Sequence, residues 1–178
     1  SAPFRLLDIG TGSGCIALAM KRRYPQAEVQ GWDISEGALN VARANAERQG
    51  LVLDFVQRDV LQAATEAAVL PTDLPLVVYS NPPYIRRSEA AEMALHVKAY
   101  EPDTALFVSD DDPLLFYRAI AWLAAKNKAM LVCVEINEAF PNETSALFKA
   151  AGFASCEVVT DRFGKPRGVV AKTTAHIG

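Results

Sequence analysis

Strand-like and helix-like segments alternate from the first residues of this 178-residue chain, and that alternation constrains its fold more than any single motif. Apolar, β-branched runs at Phe4–Ile9, Val29–Asp33, Leu53–Gln57, Leu76–Ser80, Met130–Ile136, Ser155–Thr160 and Val169–Lys172 read as strands. Between them, Cys15–Arg23 places Ile16, Ala19 and Met20 on one helical face, and Ser35–Gln49 does the same with Leu39, Ala42 and Ala46. Ser35 is an N-cap residue type and Gly50 a helix stop. Pro113–Lys126 and Pro141–Ala151 each open on a proline, and the second ends at Gly152. Leu61–Leu74 reads as a partly helical connection.

Alternating strands and helices predict an α/β fold: a mostly parallel seven-stranded sheet with helices on both faces. The last two strands break the pattern. Asp161–Gly168, which separates them, is too short to hold a crossover helix, so the final strand is expected to run antiparallel.

Composition narrows the class. With 51% hydrophobic and 22% charged residues, the chain is expected to form one globular domain over residues 1–178. It contains no run of about 18 apolar residues, which argues against a transmembrane helix. Ser1-Ala2-Pro3-Phe4 leads straight into a strand, unlike a signal peptide. Cys15, Cys133 and Cys156 have neither zinc-site nor disulfide-framework spacing, which fits a reducing cytoplasm. A net charge of −3 counts against tight nonspecific nucleic-acid binding, which needs a basic face.

The first chemical constellation follows the first strand, in "LLDIGTGSGCIALAM". Gly10, Gly12 and Gly14, with Thr11 among them, lie between a strand and a helix, where the backbone must turn sharply and a ligand must approach closely. A dinucleotide fingerprint counted from Gly10 would need glycine or alanine at position 15, and the chain has Cys15. The second strand ends in Asp33, followed by Ile34, where a carboxylate can accept both hydroxyls of a ribose. This pattern suits S-adenosyl-L-methionine better than a dinucleotide. Asp59 and Val60, at the end of the third strand, are placed to bond an adenine amino group and pack on its ring. Asp8 either orders the glycine loop or meets the ammonium group of the sulfonium amino acid.

The second constellation is Asn81-Pro82-Pro83-Tyr84, at the end of the fourth strand in "VVYSNPPYIRR". Prolines cannot donate to a sheet ladder, so the segment marks the strand's end. A planar NH₂ delocalises its lone pair and is a poor nucleophile. A site helps by accepting hydrogen bonds from both of its N–H groups, which favours rehybridisation toward an electrophilic methyl. The Asn81 side-chain oxygen and the Pro82 carbonyl are two such acceptors, and Tyr84 offers a flat face for a planar amide or base.

"LLDIGTGSGCIALA", "DISEGALNVARANAERQG", "SNPPYI", "EPDTALF", "FKAAGF" and "DRFGKPRGVVA" together resemble the HemK/PrmC family of protein N5-glutamine methyltransferases, over essentially the whole chain. The resemblance implies a Rossmann-like class I S-adenosylmethionine-dependent methyltransferase domain, acting on the glutamine of the Gly-Gly-Gln motif in peptide-chain release factors. It implies that Gly10, Gly12, Asp33 and Asp59 contact the cofactor, and that Asn81, Pro82 and Tyr84 hold the substrate glutamine. Glu101-Pro102 and Glu135 also match the family. A metal is not needed for such a transfer, and a cytoplasmic monomer is expected.

Three departures stand out. The helical N-terminal domain that helps family members dock release factors is absent from this sequence. "LPLVVYSNPPY" lacks the acid usual before the fourth strand. "KNKAMLVCVEIN" has no Gly-Gly turn, and Asn137 stands where glycine is usual, which puts the local loop geometry in question.

The Asn-Pro-Pro-Tyr motif is shared with N6-adenine methyltransferases, so an adenine-N6 or guanine-N2 methyltransferase on DNA or RNA is the same-class alternative. A catalytically silent cofactor-binding scaffold is the alternative of another class; loss of transfer with retained cofactor binding in Asn81→Ala would exclude it. His96 and His176 read as surface residues, Asp110–Asp112 as a solvated loop before a helix, and Arg86-Arg87 as solvent-facing.

Overall fold

The structure is a computed structural model, and it describes residues 2–71, 73–83, 85–86, 107–108 and 111–173. Tyr84, Arg87, His96, Glu101-Pro102, Asp110 and His176 lie outside the described residues.

Seven strands form one sheet: β1 (Arg5–Ile9), β2 (Glu28–Asp33), β3 (Asp54–Gln57), β4 (Leu76–Ser80), β7 (Leu131–Glu135), β8 (Ser155–Thr160) and β9 (Pro166–Lys172), in the order β3-β2-β1-β4-β7-β9-β8. All neighbours are parallel except β9, which runs antiparallel to both β7 and β8. The α/β expectation, including the antiparallel last strand, is met. A further pair of two-residue strands, β5 (Ile85–Arg86) and β6 (Phe107–Val108), pairs in parallel outside this sheet and was not anticipated.

Helices α1 (Cys15–Arg23) and α2 (Glu36–Gln49) cover one face; α3 (Val60–Thr65), α4 (Leu115–Lys126) and α5 (Pro141–Ala150) cover the other. The alternation of side chains along β1 feeds both layers. Leu6 packs with Ala17, Leu18, Leu39, Ala42 and Phe55, while Leu7 and Ile9 pack with Tyr117, Ile120, Val132 and Phe148.

Sequence signals set most helix ends. The Ser35 hydroxyl accepts from the Ala38 amide at 3.2 Å, and Gly50 closes α2 at φ 62°. Helix α4 starts at Leu115, two residues after Pro113, because the Leu115 amide first closes a turn onto the Asp112 carbonyl. Asp112 itself is held by Arg118, with both carboxylate oxygens 2.6 Å from Nη2.

The buried face of α1 differs from the periodicity reading. Ala17 and Leu18 are buried, Ala19 is exposed, and Ile16 and Met20 are half-buried. The cause is the strand beneath: Asp8 on β1 accepts the Ala17 amide at 3.2 Å and so fixes the rotation of the helix at its first turn.

Asn127 stitches α3's exit to the end of α4. Its Oδ1 accepts from the Leu70 amide at 2.7 Å, and its Nδ2 donates to the Ala68 and Leu123 carbonyls, each at 2.9 Å. Asn137 forms a turn of its own, its Oδ1 accepting from the Ala139 amide at 2.9 Å. Among the described residues only Ala67 and Lys128 are non-glycines with positive φ, so position 137 does not demand glycine.

Candidate active site

The sheet order reverses at β1. The chain passes from β1 outward to β2 and β3, then returns to place β4 on β1's other side. Loops leave the carboxyl ends of β1 and β4 at this switch point, the usual ligand position in an open α/β sheet. The loop after β1 is Gly10–Gly14, and the segment after β4 is Asn81-Pro82-Pro83.

The two segments are held side by side. Ile9 and Ser80 are register partners, and the Ser80 hydroxyl, fully buried, donates to the Ile9 carbonyl at 2.7 Å. A Cβ added to Gly10 would stand 3.6 Å from the Asn81 carbonyl oxygen. Asn81 is exposed, Pro82 is buried and Pro83 half-buried. Pro82 thus anchors the segment while Asn81 stays accessible.

The glycine loop is tied to β2 as well. The Gly10 and Thr11 amides both donate to the Trp32 carbonyl, at 2.8 and 2.9 Å. The Gly12 amide donates to Asp33 Oδ2 at 2.8 Å, and the Ser35 amide to Asp33 Oδ1 at 2.9 Å. Gly10, Gly12 and Gly14 all have positive φ, and nothing lies within 4 Å of where a Gly12 Cβ would be, so the loop leaves open space above it.

Asp8 lies under the loop, 1% exposed. Its Oδ2 accepts from Thr11 Oγ1 at 2.6 Å as well as from the Ala17 amide. Burial pushes its carboxyl up to about 6; the two hydrogen bonds oppose the shift and the charge of Asp33 adds to it. Through these contacts Asp8 ties Thr11 of the loop to the first turn of α1.

Ile34 and Asp59 line a cleft of about 550 Å³ on the β2–β3 side, walled also by Val56, Gln57 and Gln62, and Asp33 immediately precedes Ile34 in the chain. Ile34 is 57% exposed there, an apolar surface beside a carboxylate. Asp59 Oδ1 accepts from the Leu61 amide at 2.8 Å and caps α3. Val60 is turned into the core at 8% exposure, and Ile34 with half-buried Val56 supplies apolar side chains to the cleft instead.

Gly31 is a site residue that the motif reading passed over. A Cβ there would come within 2.7 Å of the Phe55 ring and 2.9 Å of the Thr11 methyl. Its absence lets the loop descend onto β2. A glycine in mid-strand signals such close backbone approach, and that signal was present in "VQGWD".

Comparison with known proteins agrees with this geometry. A family model described as methyltransferase small domain matches residues 2–102. The release factor glutamine methyltransferase of Bacteroides thetaiotaomicron is 41% identical over 169 residues, covering 94% of this chain and 59% of that protein. Its namesake in Flavobacterium psychrophilum is 39% identical over 165 residues, covering 92% of this chain and 56% of that protein. The chain therefore spans under three-fifths of the length of these relatives. TrmN from Thermus thermophilus superimposes with a TM-score of 0.61 at 23% identity, over 96% of this chain and 45% of its own. The delta-N METTL16 MTase domain does so with a TM-score of 0.67 at 14% identity, over 97% and 74%. These two show the fold.

Fold and family imply S-adenosyl-L-methionine as the cofactor. The residues fit it: an open glycine loop, a strand-end carboxylate with lone pairs to spare beyond its two amide donors, and an exposed apolar side chain beside it. With a family model matching more than half of its length, the chain belongs to the methyltransferase small domain family.

Proposed function

We propose that this chain is the catalytic domain of a protein-(glutamine-N5) methyltransferase acting on the Gly-Gly-Gln motif of peptide chain release factors. The observation that carries the reading is the placement of Asn81 and Pro82 beside the glycine loop by the β1–β4 pair and the Ser80–Ile9 hydrogen bond. Relatives named release factor glutamine methyltransferase, at 37–41% identity over most of this chain, support the choice of substrate.

S-adenosylmethionine, when bound, supplies a methyl group bearing a good leaving group. In this reading Asp33 accepts the ribose hydroxyls, Asp59 and the backbone of Val60 border the adenine with Ile34 on its face, and the Gly10–Gly14 loop with Thr11 leaves room for the rest. Asp8 keeps the loop in place. The Asn81 side-chain oxygen and the Pro82 carbonyl accept the two N–H groups of the glutamine amide, turning its nitrogen lone pair toward the methyl. Pro83 stiffens the segment, and Tyr84 stacks on the amide plane. The excess proton becomes acidic on the methylated nitrogen and passes to water, so a strong base is not required.

The same reading makes the protein a cytoplasmic monomer whose partner is a release factor. Among the described residues no helix is long and apolar enough to cross a membrane.

The test offers the chain S-adenosylmethionine with a folded release-factor domain and, separately, a pool of DNA and RNA, followed by mass spectrometry. A one-methyl mass increase on the glutamine is expected, and Asn81→Ala should abolish it while leaving cofactor affinity intact. Methylated adenine or guanine instead would replace this reading with a nucleic-acid one. Undiminished transfer by Asn81→Ala would sink the mechanism.

A further inference from the structure

The β8–β9 hairpin lies on the same sheet edge as Asn81. Glu135, the last residue of β7, is the register partner of Gly168, and the Ile136 amide donates to the Arg167 carbonyl at 3.0 Å. The turn at 161–165 therefore lies beyond the carboxyl end of β7. Since β7 neighbours β4 and β9 neighbours β7, the base of the turn is two strand spacings, about 10 Å, from the strand that carries Asn81.

The turn is built to be rigid. Asp161 Oδ1 accepts from the Phe163 and Lys165 amides at 2.8 and 3.1 Å, and its Oδ2 accepts from Arg167 Nε at 3.0 Å. The Asp161 amide donates to the Lys165 carbonyl at 2.9 Å, and the Gly164 amide to the Asp161 carbonyl at 3.0 Å. Lys165 and Arg167 also reach Glu138, just past β7, at 3.3 and 3.8 Å. From this frame Phe163 stands out 75% exposed, with the Arg162 guanidinium 4.7 Å from its ring centroid. Among the described residues Arg162 has no carboxylate at ion-pair distance.

A water-exposed ring held on a rigid turn costs solvation free energy that the fold does not recover. Preorganised aromatic and arginine side chains are what anchors protein interfaces, because little conformational entropy remains to be lost on binding. We propose that the Arg162–Phe163 tip is the docking anchor for the folded protein substrate, taking a loop with an acidic side chain beside an apolar one next to the glutamine that enters at Asn81. The inference rests on the protein-methyltransferase reading above. A nucleic-acid partner fits less well: Lys165 and Arg167 are already engaged by Glu138 and Asp161, and the chain carries a net charge of −3. A nucleic-acid surface would instead neutralise several phosphates.

The test compares the wild-type chain with Phe163→Ser and Arg162→Glu on two substrates, a folded release-factor domain and a short peptide containing Gly-Gly-Gln. Each variant is expected to raise KM for the folded domain roughly tenfold or more, with kcat, peptide kcat/KM and cofactor affinity within about twofold of wild type. An unchanged melting temperature shows that the variants fold. Equal losses on both substrates, or no loss on either, would overturn the docking role. If wild type methylates neither protein substrate, the functional reading itself fails and takes this partner with it.

Discussion

The Gly12 amide donates to Asp33 Oδ2 at 2.8 Å, so the loop after β1 and the end of β2 form one hydrogen-bonded unit before any ligand arrives. Asp33 Oδ1 meanwhile holds the Ser35 amide, at the start of α2. A carboxylate can accept from both amides and still receive two hydroxyls; an amide side chain cannot, because its nitrogen would face an N–H donor. Asp33→Asn is therefore expected to be nearly as damaging as Asp33→Ala, each weakening S-adenosylmethionine binding roughly ten- to a hundredfold, the worth of one or two charge-assisted hydrogen bonds. Calorimetric titration checks this. Wild-type affinity in Asp33→Asn would show that the double acceptance does not organise the site.

Asp8 makes a pH prediction. Its carboxyl is raised from an ordinary value of 3.8 to about 6, chiefly by burial. The folded chain therefore holds this proton more tightly than the unfolded chain does. The associated stability is fully present below about pH 4, declines as pH rises, and is lost above about pH 6, a change of roughly 3 kcal/mol. Asp8→Asn keeps an oxygen for Thr11 and Ala17 and removes the titration. Urea unfolding from pH 4 to pH 7 is expected to show the variant gaining on wild type as pH rises, while contributions from other carboxylates cancel in the difference. Parallel pH profiles for the two proteins would refute this account.

Gly31 makes a packing prediction. The Cβ of Gly31→Ala would meet Phe55 ring atoms at 2.7 and 2.9 Å and the Thr11 methyl at 2.9 Å. Phe55 is buried against α2, so the ring has little room to retreat, and overpacking of this kind costs about 1–3 kcal/mol. Because Thr11 must move too, cofactor affinity is expected to fall along with stability. Adding Phe55→Leu, which shortens the ring side of the clash, should recover part of the stability but not the affinity, since Thr11 stays displaced. Thermal unfolding and titration of the single and double variants decide it; a Gly31→Ala chain with wild-type affinity would mean that the loop does not depend on this approach.

What could be read from the sequence was whatever depends on local chemistry. Ser35 caps α2 and Gly50 ends it because a hydroxyl acceptor and a left-handed glycine do those jobs in any context. The glycine loop, Asp33 and Asn81 were legible because strand ends in an alternating chain must gather at one sheet edge. What escaped depends on partners distant in sequence. The rotation of α1 is fixed by Asp8 on the strand beneath, not by the helix's own apolar period. Asn127 acquires its role only when α3's exit packs on α4, with Leu70 lying 57 residues away along the chain. The end of α3 was also hidden, because the residue in its left-handed position is not a glycine, whereas the end of α4 at Lys126 was legible although Lys128 takes that position there.

Those two ends give the last prediction. Helices α2 and α5 close with glycine at positive φ, Gly50 at 62° and Gly152 at 103°. Helices α3 and α4 close with the same pair of hydrogen bonds. Ala67 donates to the Ala64 carbonyl and Ala68 to Ala63, and likewise Lys128 donates to Ala125 and Ala129 to Ala124. The left-handed residues here are Ala67 at φ 54° and Lys128 at 53°. A side chain in this conformation costs about 1–2 kcal/mol, against which glycine's larger unfolded-state entropy must be set. Lys128→Gly, at an exposed position, is expected to stabilise the chain by about 0.5–1 kcal/mol, raising the melting temperature by roughly 1–4 °C. Ala67→Gly should act in the same direction. The two sites are joined by Asn127, which precedes Lys128 and donates to the Ala68 carbonyl at 2.9 Å, so the double variant is expected to depart from simple additivity. A destabilised Lys128→Gly would show that the lysine side chain makes up for its strained backbone, and calorimetry of the three variants distinguishes the cases.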